Sequence, residues 1–102
     1  MNYKSPTLRK IQLSQNLEEK ARLLELAGDP TRVRILCALY QYEDVCVSDI
    51  AESLNMTVSA ISHHLQLLKD NGLVETRRMG QNICYSLVNS DFTKKLKKIV
   101  CG

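Results

Sequence analysis

The chain has 102 residues, 44% hydrophobic and 25% charged, which suffices for one buried core and excludes both a disordered tail and a two-domain architecture. Its net charge of +3 is too small to imply a nucleic-acid partner by size alone. The longest apolar run, Ile35 to Tyr40, falls far short of the ~18 residues of a membrane span, and MNYKSPTLRK has no apolar signal core. A cytoplasmic chain is therefore expected, with its four cysteines present as thiols rather than as a disulfide framework.

Residues 1–15 carry Lys4, Arg9 and Lys10 among scattered apolar residues and are expected to form an N-terminal arm. Residues 16–102 form a single domain. Asn16 with Glu19 suits a capping box at the start of a helix in which Leu17, Ala21, Leu24 and Ala27 recur at helical spacing. Gly28 is expected to end that helix as its C′ residue. Asp29-Pro30 starts the next, with Asp29 as cap and Pro30 where a missing N–H needs no partner. Val33, Leu36, Cys37 and Tyr40 make one apolar stripe there, and Ile35 and Leu39 a second. After the polar stretch Gln41–Asp44, Ser48 is expected to cap a short helix burying Ile50, Ala51 and Leu54. Asn55-Met56 reads as a tight turn, and Thr57 as the cap of a longer helix with Val58, Ile61, Leu65 and Leu68 facing the core. Asn71-Gly72 ends it.

The period then changes from about 3.6 to 2. Residues 73–79 and 82–87 are predicted strands joined at Gly80-Gln81. Ile83, Tyr85 and Leu87 point one way, and Asn82, Cys84 and Ser86 the other, polar, way. Ser90 or Asp91 caps a last helix over 91–101, with Phe92, Leu96, Ile99 and Val100 inward and Lys94, Lys95, Lys97 and Lys98 wet. The predicted class is mainly α with a β-hairpin, in the order α-α-α-α-β-β-α.

Charge is uneven along this order: residues 1–56 carry a net −1 and residues 57–102 a net +4. A short helix, a tight turn and a second helix over 48–71 make a helix-turn-helix. In that arrangement the second helix enters the major groove of duplex DNA and its first turns meet base edges. Thr57, Ser59, Ser62, His63 and Gln66 offer short or medium hydrogen-bonding side chains for that role. The hairpin over 73–87 carries Arg77 and Arg78 beside its Gly turn, which suits a basic wing for phosphates or a narrow minor groove. Lys69 adds a phosphate partner. The alternative for such charges is an ordinary solvated surface.

The stretches LAGDPTRVRIL, from Leu26, and VSDIAESLNMTVSAISHHLQLLKDNGLVETRRMGQNICYSL, Val47 to Leu87, resemble the ArsR/SmtB family of winged helix-turn-helix transcriptional repressors. The resemblance runs from about Leu24 to Leu87. It implies a repressor that binds a pseudo-palindromic operator as a homodimer, pairs through its first and last helices, and leaves the DNA when an effector binds.

The family's sensor sites distinguish its branches. One uses Cys-x-Cys before the helix-turn-helix; here DVCVSDI keeps Cys46 and has Ser48 in place of the second cysteine, and a soft metal wants several thiolates. A second places a metal on the last helix through Asp-x-His; Asp91 matches, but Thr93 replaces the histidine. The adjacent His63 and His64 diverge on their helix and cannot readily share a metal. A third senses oxidants or reactive sulfur with one cysteine in an ILC segment and one near the C-terminus; Cys37 in RILCAL and Cys101 in KIVCG resemble it. The last helix is about three residues shorter before its cysteine than that branch leads one to expect, close to one turn of ~5.4 Å. A disulfide needs Cα atoms within ~7 Å, so whether the pair meets is left open. The implied effector is thiol-directed, an oxidant or reactive sulfur acting at Cys37 and Cys101, with no required cofactor. The alternative is a thiophilic metal or metalloid at Cys46, Cys84 or Cys101. Plain packing of Cys37 and Cys46 and a frayed terminal Cys101 are the structural alternatives.

Other classes fit less well. There is no Ser/His/Asp spacing, Gly-rich phosphate loop or paired-carboxylate metal spacing, so an enzyme is not expected. A single-strand binder would need aromatic platforms, and the chain is 5% aromatic with no Trp. A winged helix serving only protein interaction would lack the polar reading face and basic wing.

Overall fold

The computed structural model describes residues 2–7, 10 and 14–101. Arg9 of the expected arm lies outside them, as do residues 1, 8, 11–13 and 102. The elements are α1 (Gln15–Ala27), α2 (Pro30–Gln41), β1 (Val45–Cys46), α3 (Val47–Leu54), α4 (Val58–Asp70), β2 (Val74–Met79), β3 (Asn82–Leu87) and α5 (Asp91–Val100). Among the described residues no helix is long and apolar enough to cross a membrane.

Caps set the helix starts, and two fall elsewhere than expected. Ser14, not Asn16, caps α1, accepting from the Leu17 amide at 3.1 Å. Ser48 does not cap α3. It lies inside that helix, and Cys46 holds the cap position without a side-chain hydrogen bond. The chain enters α3 directly from a strand, which fixes the extended entry that a Ser cap otherwise supplies. Asp29 caps α2 as expected, with Pro30 following. The Arg32 amide donates to Asp29 and, with partial help from charge, holds its carboxyl below the usual range. Ser90 caps α5 with a reciprocal bond to Thr93.

Gly28 ends α1 as expected, at the C-cap itself, with φ −81° and its N–H donating to Glu25 O. Its small size matters, because a Cβ there would stand 3.2 Å from Leu24 O. Asn55, at φ 53°, takes the left-handed turn between α3 and α4, a conformation Asn tolerates better than most residues.

The core gathers Ile35, Leu36 and Leu39 of α2, Ile50 and Leu54 of α3, Ile61, Leu65 and Leu68 of α4, Leu73, Val74, Tyr85 and Leu96. Two residues expected there are outside it. Val58 and Ile99 are exposed, Val58 because it opens α4 above the cleft beside the wing, Ile99 because it borders the open groove between α5 and α1, which no described residue fills.

The hairpin belongs to a three-stranded antiparallel sheet in the order β1-β3-β2. The short β1 was not legible as a strand. It pairs Val45 with Tyr85 and Cys46 with Cys84, while β2 places Arg77 opposite Cys84 and Arg78 opposite Ile83. This makes β3 the central strand and corrects the expectation for Cys84, which is buried while Ile83 is exposed. A strand flanked on both sides buries residues that a two-stranded ribbon would leave wet.

Candidate nucleic-acid interface and thiol pairs

The helix-turn-helix is α3 and α4 joined through Asn55–Thr57. Thr57 caps α4, its Oγ1 accepting from the Ala60 amide at 3.1 Å. Its hydroxyl is therefore already engaged in holding the helix that presents the other polar residues. Ser59, His63, Gln66 and Lys69 are exposed and Ser62 is half-buried. Gln66 donates from Nε2 to Asp70 Oδ1 at 2.8 Å, a contact one helical turn long that orients the amide at the surface. The other histidine, His64, turns inward, its Nδ1 3.3 Å from Arg32 Nη1, while Arg32 Nε donates to Leu26 O at 2.6 Å. Arg32 thus joins the α1–α2 corner to the middle of α4. Sequence reasoning missed this brace, and the only available signal was the repeated histidine.

Removing the cap tests how α4 is held. Thr57→Ala is expected to lower the stability of the chain by about 1 kcal/mol, read from the midpoint of urea unfolding. An unchanged midpoint would mean that the side-chain bond contributes nothing to α4.

The two wing arginines differ. Arg77 forms an ion pair with Asp44 at 3.2 Å. Asp44 sits in the left-handed region at φ 50°, so the loop before β1 is shaped to hold it against the wing. The second carboxylate oxygen of Asp44 is buried without a hydrogen-bond partner. Arg78 and Lys69 are exposed and make no ion pair among the described residues. Of the three expected phosphate ligands, two are immediately available and one is tethered.

Cys37 and Cys101 meet. Their sulfurs are 2.9 Å apart, with the Cys101 thiol donating to Cys37 Sγ and the Cys37 thiol donating to Val100 O at 3.5 Å. The count of residues in the last helix suggested a shortfall of one turn. What decides the approach is where α5 crosses α2. Tyr40 Oη donates to Thr93 O at 2.5 Å, and the Cys37–Cys101 contact closes the same seam farther along, so the helices cross antiparallel. Cys101 is the residue after α5 and sits at its C-cap. Burial pushes the Cys37 thiol up to about 11, aided by the hydrogen bond and charge of Cys101. Burial also pushes Tyr40 up to about 12. Near neutral pH both are protonated donors.

Cys46 and Cys84 are joined by a disulfide. This corrects the expectation that all four cysteines are thiols, and it removes both as free thiolates for a metal. The ladder that makes them cross-strand partners is the reason. Among the described residues no three His, Cys, Asp or Glu side chains gather to hold a metal ion. Thr93, in the position of a zinc-branch histidine, is buried and bonded to Val88 O and Ser90. The donors gathered among the described residues do not fit a metal.

The far side of α5 and α1 lines an open groove of about 530 Å³, with Leu23, Leu24, Phe92, Leu96 and Ile99 along it. Leu24 is 56% and Ile99 74% exposed, so an apolar face is left uncovered by the described residues.

Comparison with known proteins agrees with this architecture. The family model described as bacterial regulatory protein, arsR family, matches residues 29–76. A transcriptional repressor SmtB homolog of Synechocystis is 37% identical over 73 residues, 72% of this chain and 54% of that protein's length. The HlyU structure from Vibrio cholerae superposes with a TM-score of 0.74 at 28% identity, covering 86% of this chain and 98% of that one. A homodimeric winged helix-turn-helix DNA-binding domain from Mycobacterium bovis is 32% identical with a TM-score of 0.73, covering 84% of this chain and 81% of that one.

Proposed function

This chain belongs to the arsR family of bacterial regulatory proteins, and we propose that it is a homodimeric repressor of transcription, released from operator DNA when Cys37 and Cys101 are oxidised to a bridge. The observation that carries the effector half of this reading is the 2.9 Å approach of the two sulfurs. The polar face of α4 beside an arginine-bearing wing supports the DNA half. The apolar groove on α1 and α5 supports the dimer, because a second copy of the same helices would cover Leu24 and Ile99.

The chemistry needs an electrophile with a two-electron leaving group. With a hydroperoxide, the Cys101 thiolate attacks the outer oxygen, an S–O bond forms, the O–O bond breaks and hydroxide or alkoxide leaves. The Cys37 sulfur then attacks the Cys101 sulfenic acid. An S–S bond forms, and the displaced hydroxyl departs as water with the Cys37 proton. With a polysulfide, Cys101 first becomes a persulfide by displacing the shorter polysulfide, and Cys37 then displaces hydrosulfide. Closing the bridge at the crossing of α2 and α5 moves the helix that bears the groove, which couples the thiol state to the arrangement of the dimer. Among the described residues the metal-responsive alternative has no gathered donor set to support it.

The DNA half is tested by salt. Affinity for operator duplex is expected to fall steeply as salt rises, and Arg78→Ala is expected to weaken binding to all sequences alike while reducing the salt slope by about 1. Fluorescence anisotropy on labelled duplex at several salt concentrations measures both. Absent or salt-independent duplex binding would remove the repressor reading.

A further inference from the structure

The second sulfur pair lies in a different part of the molecule and has no part in the reaction at the α2–α5 seam. Cys46 is the last residue of β1 and the cap of α3, and Cys84 is in the central strand of the sheet, two residues from Asn82 where the wing turns back. Their bond ties the first helix of the helix-turn-helix to the wing. Arg77 is the β2 partner of the same Cys84, and Asp44, which holds Arg77, is two residues before Cys46. Crosslink, wing arginine and helix entry therefore share one short stretch of sheet.

The two sulfurs are unequally accessible. Cys84 is 1% exposed. Cys46 is half-buried and lines a cleft of about 310 Å³ with Ser48, Val58, Ser62, Asn82 and Ile83. That cleft lies between the wing and the first turns of α4, on the face the repressor reading gives to DNA. The amino end of α3 favours negative charge beside Cys46, and its side chain makes no cap bond there.

We propose that Cys46 and Cys84 form a second redox site, separate from Cys37 and Cys101, which exchanges with low-molecular-weight thiols and disulfides through the cleft and locks the wing to the helix-turn-helix when closed. Opening proceeds in two steps. A small thiolate attacks Cys46 Sγ, the S–S bond breaks, and the electron pair leaves on Cys84, which takes up a proton. A second thiolate attacks the mixed disulfide, releasing the small-molecule disulfide and the Cys46 thiolate. Closing is the reverse: Cys46 attacks a small-molecule disulfide, and buried Cys84 displaces the remaining small thiolate. The same chain thus holds one closed pair and one open pair, and they report on different faces of the fold. The effect on DNA rests on the repressor reading; the lock itself does not.

The experiment uses the full chain carrying Cys37→Ser and Cys101→Ser, so that only the second pair can react. It is equilibrated with reduced or oxidised glutathione, alkylated and mapped by peptide mass. Oxidised glutathione is expected to yield the Cys46–Cys84 link, and reduced glutathione two alkylated cysteines. Amide hydrogen exchange in residues 82–87 is expected to be about tenfold faster in the reduced form, as the constraint on the wing is lost. Affinity for operator duplex is expected to be about fivefold weaker in the reduced form, because a pre-positioned wing loses less freedom on binding. The comparison is between two states of one chain and needs no change at the pair. Cys46→Ser and Cys84→Ala, each in the same background, should make both differences vanish. Failure to form the link, or exchange in residues 82–87 that is equal in the two states, would overturn the lock. Equal duplex affinity in two states that differ in exchange would overturn its influence on DNA. If neither state binds duplex while exchange still differs, it is the repressor reading that fails.

Discussion

Cys101→Ser is expected to leave operator affinity within about twofold, as for a surface substitution, and to abolish release by a hydroperoxide or a polysulfide. The asymmetry of the pair is the reason. Cys37 is pushed up to about 11, chiefly by burial. A raised thiol pKa means the neutral form persists as pH rises, so at pH 8 Cys37 is almost wholly protonated and is a poor attacking group. The exposed Cys101 must make the first attack. Cys37→Ser should therefore behave differently from Cys101→Ser. Cys101 is still oxidised, to a sulfenic acid or persulfide detectable by intact mass, but no bridge forms and the DNA is not released. The pH dependence follows with the same sign. Alkylation of Cys37 by iodoacetamide should accelerate about tenfold per pH unit between pH 8 and 10, because the thiolate fraction grows that way below the pKa. Release that persists in either serine variant, or Cys37 alkylation that levels off near pH 8, would remove the dithiol mechanism.

The parts of this arrangement that could be read from the sequence are those fixed by local chemistry. Asp29-Pro30 places the start of α2, Thr57 the start of α4, and the alternation over 82–87 the second strand of the wing, because each depends on residues a few positions apart. The ArsR resemblance supplied the family and pointed to Cys37 and Cys101, but it could not place α5 against α2. That approach depends on a crossing point set by Tyr40, which lies more than fifty residues from its partners, and by Thr93 and the packing of Leu96 on α5. The two-residue β1 has no period to detect. Without it, Cys84 reads as a residue on the wet side of a ribbon. With it, Cys84 is buried in a central strand and faces Cys46. Ile99 erred in the opposite direction. Its helical spacing matches a core stripe, yet among the described residues no side chain covers it, and spacing alone does not distinguish a stripe buried within the chain from one left exposed. Asp44 gave no signal either, since an acidic residue after a helix is ordinary. Its left-handed backbone and its hold on Arg77 exist only once the sheet has formed.

Leu65→Ala is expected to destabilise the domain by about 2–5 kcal/mol. Leu65 is wholly buried on the inner face of α4, in the cluster that joins α2, α3, β2 and α5. Truncation leaves a cavity inside that cluster, whose members are anchored on several elements and cannot all move inward to fill it. A domain of this size is stable by roughly 5–15 kcal/mol, so this one position carries a substantial share of the total. The adjacent Gln66 is exposed, so the same helix carries on its other side the face proposed to read DNA. The variant should therefore lose duplex binding in proportion to its unfolded fraction, and recover it on cooling or at higher protein concentration if dimer formation stabilises the fold. A urea titration at two protein concentrations measures both terms. A loss below about 1 kcal/mol, smaller than large-to-small core substitutions of this kind produce, would mean that α4 is not anchored in the core through Leu65. The reading face would then lack the rigid support that positions it.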